Sequence, residues 1–171
     1  MNIIAIIPAA GKGARFGTPK VDAMYNSVTF SQKILQTLEE IGIAKHLIIR
    51  DIDTPDMLAS LRWGMQKILS EQENPDGWLI WPVDHPTVKP DTIRILASVF
   101  ETNSNSVIIP RYQSKNGHPI IVPGFLCIPD KPEPLGLKGI IMQSGFPVKY
   151  VNVDDVGILF NFNTPEDVTY V

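Results

Sequence analysis

"NIIAIIPAAGKGARFGTPK" (residues 2–20) decides the fold: an almost wholly apolar run of seven residues leads into a loop with glycines at 11, 13 and 17 and cations at 12, 15 and 20. A continuous apolar run ended by Pro8 suits a strand buried on both faces, as in the centre of a parallel sheet. In an open parallel sheet, ligands bind beyond the carboxyl ends of the strands, so this loop stands where a ligand is expected. Glycine lets the backbone turn tightly and point its N–H groups at an anion, while Arg15 and Lys20 add charge suited to phosphate oxygens. The loop therefore reads as a polyphosphate cradle; the plainer alternative is a surface turn with solvated cations. Its GxGxxxG spacing departs from the dinucleotide fingerprint, and no GK[ST] follows as in a Walker loop.

Outward from this stretch, strand and helix signals alternate. "VTFSQKILQTLEEIG" (28–42) carries one apolar helical stripe, "HLIIRDI" (46–52) reads as the second strand, and "TPDMLASLRWGMQKILS" (54–70) places Leu58, Leu61, Met65, Ile68 and Leu69 at helical spacing. "WLIWPV" (78–83) predicts a strand, and residues 90–101 a helix opened by Pro90. "SVIIPRY" and "HPIIVP" predict strands joined as a hairpin or as neighbours in a mixed sheet; "PLGLKGIIMQSG" predicts a weaker helix, and "FPVKYVNV" and "GILFNFN" two final strands. "DTPDM" at 53 and "NTPED" at 163 both predict helix starts with threonine as cap. This alternation implies a three-layer α/β/α sandwich, one domain over residues 1–171.

Composition bounds the function. A net charge of −3 over 171 residues gives no global attraction to nucleic acid or an anionic membrane, so any positive field is local. No run approaches the ~18 apolar residues of a membrane span, and the first residues lack a basic signal-peptide start, which predicts a cytoplasmic protein. The single cysteine, Cys127, excludes an intrachain disulfide and a CxxC zinc site and reads as a small buried apolar residue. Trp63, Trp78 and Trp81 lie on apolar patterns that predict core positions.

"WLIWPVDHP" puts Asp84 where its strand stops. Two roles fit it: a ligand for Mg²⁺, which takes one or two protein oxygens beside substrate phosphates, or a turn residue before Pro86. His85 beside it fits loop or packing use.

Taken in order, "PAAGKGARFGTPK", "SLRWG", "PVDHP", "GHP" and "NTPED" resemble the signature stretches of the MobA-like nucleotidyltransferase superfamily, near its molybdenum-cofactor cytidylyl- and guanylyltransferases and akin to the sugar-phosphate and methylerythritol-phosphate enzymes. The resemblance implies a Rossmann-like, mostly parallel mixed sheet and Mg²⁺-dependent transfer of a nucleotide from an NTP, CTP ahead of GTP, to a small phosphorylated acceptor or molybdopterin-type cofactor. It further implies that Ala9, Ala10, Gly11, Lys12 and Gly13 wrap the phosphates and base edge, that Arg15 and Lys20 grip the phosphates, and that Ser60 and Gly64 contact the base. Read without it, Ser60 in a helix is solvent-facing or bonded to a carbonyl one turn back. Asp84 would hold the metal with a second ligand from Asn163, where the family often has aspartate; Asn161 is a substitute. Arg111 and His118, with Lys115 and Asn116 nearby, would face the acceptor; alternatively they are surface cations and a strand-edge residue.

The sequence also departs from that pattern. "HLIIRDID" runs almost directly into "TPDMLASLRWG" where family members usually place a further strand, so the sheet is expected to lack one edge strand, and a homodimer through the bared edge follows as a hypothesis. "VDAMYNSVTF" after Lys20 lacks the usual glycine–lysine–proline pattern. A catalytically degenerate nucleotide-binding or regulatory protein of the same fold is the alternative to an enzyme. A nicotinamide-dependent oxidoreductase fits less well because of the glycine spacing.

Overall fold

The computed structural model describes residues 1–9, 19–50, 52–164 and 167, and of Lys20 the main chain alone. Its elements run β1 (Ile3–Pro8), β2 (Met24–Tyr25), β3 (Val28–Thr29), α1 (Phe30–Glu40), β4 (His46–Ile49), α2 (Met57–Ser70), β5 (Gly77–Ile80), α3 (Pro90–Glu101), β6 (Val107–Tyr112), β7 (Lys115–Asn116), β8 (Ile120–Pro123), α4 (Gly136–Ser144) and β9 (Val148–Asn152). Short 3₁₀ turns cover Lys20–Asp22 and Val156–Leu159.

Among the described residues seven strands form one sheet in the order β4-β1-β5-β8-β6, with β9 and the short β7 also paired to β6, while β2 and β3 make a separate ribbon. β1 pairs in parallel with β4 and β5, β9 runs parallel to β6, and β8 is antiparallel to both β5 and β6. The carboxyl ends of β4, β1, β5, β6 and β9 consequently face one rim.

Strand alternation feeds two cores. On one face Ala5, Ile7, Leu79 and Trp81 meet Phe30, Ile34 and Leu38 of α1 and Ile93, Leu96 and Phe100 of α3. On the other, Ile4, Ile6, Trp78 and Ile80 meet Leu58, Leu61, Met65 and Ile68 of α2 and Leu137, Ile140 and Ile141 of α4. Ile4, Ile6 and Ile7 are fully buried, each worth about 1.5–3 kcal/mol of transfer free energy, so the opening apolar run anchors both layers. This is the three-layer α/β/α sandwich that the sequence predicts.

Local signals and structure part at several places. Thr29 closes a capping box with Gln32 at the start of α1, but α2 begins on Asp56, whose Oδ1 accepts the Ala59 amide at 2.8 Å, and not on Thr54. Pro55 still precedes the helix, and the hydroxyl of Thr54 turns to Ser60 instead. "GILFNFN" is no strand: Asp155 accepts the Gly157 amide and folds Val156–Leu159 into a 3₁₀ turn, because β6 already has β8 and β9 as partners and the chain must return across the rim. Trp78 and Trp81 are fully buried, whereas Trp63 and Leu69 face solvent at the margin of the α2 stripe, with the Lys67 ammonium 5.7 Å from the Trp63 ring. Cys127 is exposed rather than buried. Among the described residues no strand lies between β4 and α2, which leaves β4 as one edge of the sheet. No helix among the described residues is long and apolar enough to cross a membrane.

Candidate active site

The site is built where β1 and β5 run out together. Beyond β1 the Ala9 amide donates to the Ile49 carbonyl (2.9 Å), and beyond β5 the Trp81 and Val83 amides donate to Ile6 and Pro8 (2.9 and 3.3 Å), so the chain from Trp81 to Asp84 is led along β1 to its end. Two further bonds fix the next turn. The buried indole N–H of Trp81 donates to the His85 carbonyl at 2.9 Å, and the Phe162 amide donates to the Asp84 carbonyl at 2.9 Å. Phe162 is itself seated in the core with its ring centroid 5.5 Å from Phe30 and 5.8 Å from Tyr25.

These contacts frame a cleft of about 350 Å³ whose walls include Ala9, Thr54, Asp56, Ser60 and Asp84. Of the residues singled out in the sequence it thus gathers Ala9, Ser60 and Asp84. Thr54 and Asp56 were read only as helix-start signals; their place on the wall follows from α2 pointing its first turn at the cleft. Ser60 is buried at 3% exposure, with its hydroxyl 2.5 Å from that of Thr54 and donating to the Asp56 carbonyl at 3.1 Å. The back-bond read from the sequence is present, and it turns the hydroxyl pair toward the cleft wall. Gly64, one turn on, is buried against the sheet: a β-carbon there would lie 2.6 Å from Ile49 Cδ1 and 3.4 Å from Leu47 Cδ2, so the residue visibly serves the close approach of α2 to β4.

Asn163 follows Phe162 and so stands one residue from the main chain bonded to Asp84. Its amide and that of Thr164 both donate to Asp167 Oδ2 (2.8 and 2.9 Å), while the Asp167 amide donates to the Thr164 carbonyl (3.1 Å). Its side-chain Nδ2 donates to the Asn161 carbonyl at 3.4 Å.

A histidine pair adjoins Asp84. His85 is buried, its Nε2 is 3.8 Å from Asp84 Oδ1, and its ring centroid is 5.1 Å from that of His118. His118 Nδ1 is buried without a hydrogen-bond partner among the described residues. Burial pushes the His118 pKa below the usual histidine value, partly countered by attraction to Asp84, which keeps the imidazole neutral at pH 7. Arg111 stands one residue before the end of β6 on the same rim, its Nε donating to Asn116 Oδ1 (3.0 Å) and its guanidinium 3.9 Å from the centroid of Tyr150. Lys115 is exposed in the adjoining hairpin.

Ala10, Gly11, Lys12, Gly13, Arg15 and the Lys20 side chain lie outside the described residues. The Lys20–Asp22 turn is placed, however: the Ser31 hydroxyl donates to the Val21 carbonyl at 2.8 Å and the Phe30 amide to Ala23 at 2.8 Å, packing the turn beside the aromatic group that holds Phe162.

A three-layer α/β/α sandwich with its cleft at the carboxyl rim and a carboxylate beyond the end of β5 define an α/β protein of the class that binds its ligand at the strand ends. Residues 5–133 match the MobA-like NTP transferase domain, and the chain belongs to that family and is a nucleotidyltransferase. Among proteins of curated function none matches the sequence. In fold it is similar to Rv0371c from Mycobacterium tuberculosis (20% identity, 99% of this chain and 96% of that one, TM-score 0.76). A manganese complex of the same protein also matches (18%, 90% and 89%, TM-score 0.64). So does 2-C-methyl-D-erythritol 4-phosphate cytidylyltransferase from Thermus thermophilus (14%, 99% and 96%, TM-score 0.69).

Proposed function

We propose that residues 1–171 act as a single domain that transfers a nucleoside monophosphate from an NTP, CTP before GTP, to the phosphate of a small acceptor or molybdopterin-type cofactor, releasing pyrophosphate. The observation that carries this reading is the convergence of Ala9, Ser60 and Asp84 on one cleft, with Asn163 tied beside Asp84 through the Phe162 amide. The backbone of residues 9–13 holds the triphosphate together with Arg15 and Lys20, and Ser60 and Gly64 border the base. An oxygen of the acceptor phosphate forms the new bond to the α-phosphorus; the bond from that phosphorus to its bridging oxygen breaks, and the electron pair leaves with pyrophosphate. An ionised acceptor phosphate needs no general base, so the residues act by positioning and by neutralising charge.

The oxygen donors of Asp84 and Asn163 fit Mg²⁺, a hard cation that keeps several waters and accepts one or two protein oxygens. Among the described residues no group of three or more His, Cys, Asp or Glu side chains could hold a metal, so the fit is to a shared protein–phosphate site rather than a closed protein cage. When bound there, Mg²⁺ would neutralise charge on the α-phosphate and the departing pyrophosphate. Arg111 and His118 receive the acceptor: the guanidinium, steadied by Tyr150 and Asn116, suits an anionic group, and the neutral imidazole offers a hydrogen bond.

The protein works in the cytoplasm on small molecules, independently of nucleic acid and membrane. Pyrophosphate release across the four NTPs and a panel of phosphorylated acceptors, with and without Mg²⁺, tests the assignment; release that is metal-independent or absent with every acceptor overturns it. The neutral amide of Asn163, in place of an acid beside Asp84, favours a second reading, a nucleotide-binding regulator, which predicts NTP binding without turnover.

A further inference from the structure

The buried carboxylate of Asp155 joins two segments of the rim. It is 2% exposed. Its Oδ2 accepts the Lys89 amide (2.8 Å) and the Thr92 hydroxyl (2.7 Å), and its Oδ1 accepts the Gly157 amide (2.9 Å). α3 has no side-chain cap of its own, since its cap position is Lys89; a carboxylate 66 residues away accepts the amide of that cap residue, at the helix end where the dipole favours negative charge.

The turn that Asp155 starts makes two contacts with the site. The Ile158 carbonyl accepts the His118 amide (2.9 Å), and four residues beyond, Phe162 donates to Asp84 (2.9 Å). The turn is also pressed against the loop after β5: a β-carbon on Gly157 would lie 2.5 Å from the Thr87 carbonyl oxygen. One carboxylate thus fixes residues 156–163 to the strand-end loop of residues 84–92 and, through Ile158, to His118.

We infer that Asp155 is a positioning residue for this cleft: it sets the register of the segment carrying Asn163 against the loop carrying Asp84, without itself reaching the cleft. The consequence for metal binding rests on the role proposed above for Asp84 and Asn163; the register itself does not. Asp155→Asn keeps the size but turns an NH2 group toward one of three donors, and Thr92→Val removes one donor while leaving the carboxylate in place.

The test reads two quantities on the full chain. Amide hydrogen exchange, resolved by NMR, is expected to speed up at least 10-fold at His118 and Phe162 in Asp155→Asn, less in Thr92→Val, with the β1 amides unchanged. Calorimetric titration with Mg²⁺ in the presence of CTP is expected to show the metal dissociation constant rising about 10- to 100-fold in Asp155→Asn, the usual cost of losing an outer support of a metal site, while metal-free CTP affinity holds. Thr92→Ser restores wild-type values of both. If Asp155→Asn does not fold, Thr92→Val carries the test. Unchanged exchange at His118 and Phe162, or acceleration spread equally over β1, overturns the inference. Selective acceleration at those two amides with a wild-type protein that binds no metal supports the positioning role and refutes instead the metal role of Asp84 and Asn163.

Discussion

The main-chain carbonyl of Asp84 receives the amide of Phe162 at 2.9 Å, so two stretches 78 positions apart, 162 − 84, are held edge to edge at the mouth of the cleft. The side chain of Phe162 packs into the core while its backbone braces the residue proposed to hold the metal. Stability and site geometry are therefore coupled at one position.

Phe162→Ala should lose about 3–5 kcal/mol, the usual range for a fully packed phenylalanine, because Phe30 and Tyr25 cannot collapse onto the space left behind. Urea denaturation followed by fluorescence measures it; a loss under 1 kcal/mol would show that the aromatic group is not a support of the rim.

Asp84→Ala and Lys20→Ala should retain the far-ultraviolet circular dichroism of the parent and lose about 10²-fold or more in turnover, as for other charge clamps on a reacting phosphate. Wild-type rates of pyrophosphate release from both variants would remove them from the chemistry.

Gly64 separates packing from recognition. Alanine gains about 1 kcal/mol of helix propensity, which offsets the push on the flexible end of Ile49, so Gly64→Ala should lie within about 1 kcal/mol of the parent. Gly64→Val overfills the α2–β4 contact and should cost about 2 kcal/mol. Nucleotide affinity measured on the folded alanine variant then reports on the base contact alone.

His118 gives the metal-free protein a pH signature. Its folded pKa is lowered, so below the ordinary histidine value near 6.5 the unfolded chain binds more protons than the folded one, and stability falls as pH drops through that region. The facing groups are Asp84, whose charge opposes the shift, and the buried ring of His85. The melting temperature should decline between pH 7 and 5, and His118→Gln should flatten that decline; equal slopes for the two proteins would locate the dependence elsewhere.

The bared edge at β4 predicts self-association. His46 and Ile48 present backbone groups away from β1, and a four-residue edge without proline invites pairing with a second copy. Sedimentation should show a homodimer at high concentration; a monomer throughout counts against it.

Where placement was legible in the sequence, local chemistry and tertiary structure agreed. Ile3–Pro8 had to be central because both faces are apolar, and Asp84 had to reach the rim because it follows the wholly buried strand Gly77–Ile80. "GILFNFN" misled because its apolar pattern says nothing about whether a ladder partner remains. Thr54 and Asp56 competed as caps within three positions, which composition alone does not resolve. Asp155 left no mark in any window of the sequence, since its partners Lys89 and Thr92 lie 66 and 63 residues away.

That last distance orders events during synthesis. The Lys89 amide and the Thr92 hydroxyl at the start of α3 have no carboxylate to accept them until Asp155 emerges, so a nascent chain halted before residue 155 would leave both to water. The bond from Phe162 to the Asp84 carbonyl cannot form before residue 162 has been added, by which point every strand of the central sheet has already been synthesised.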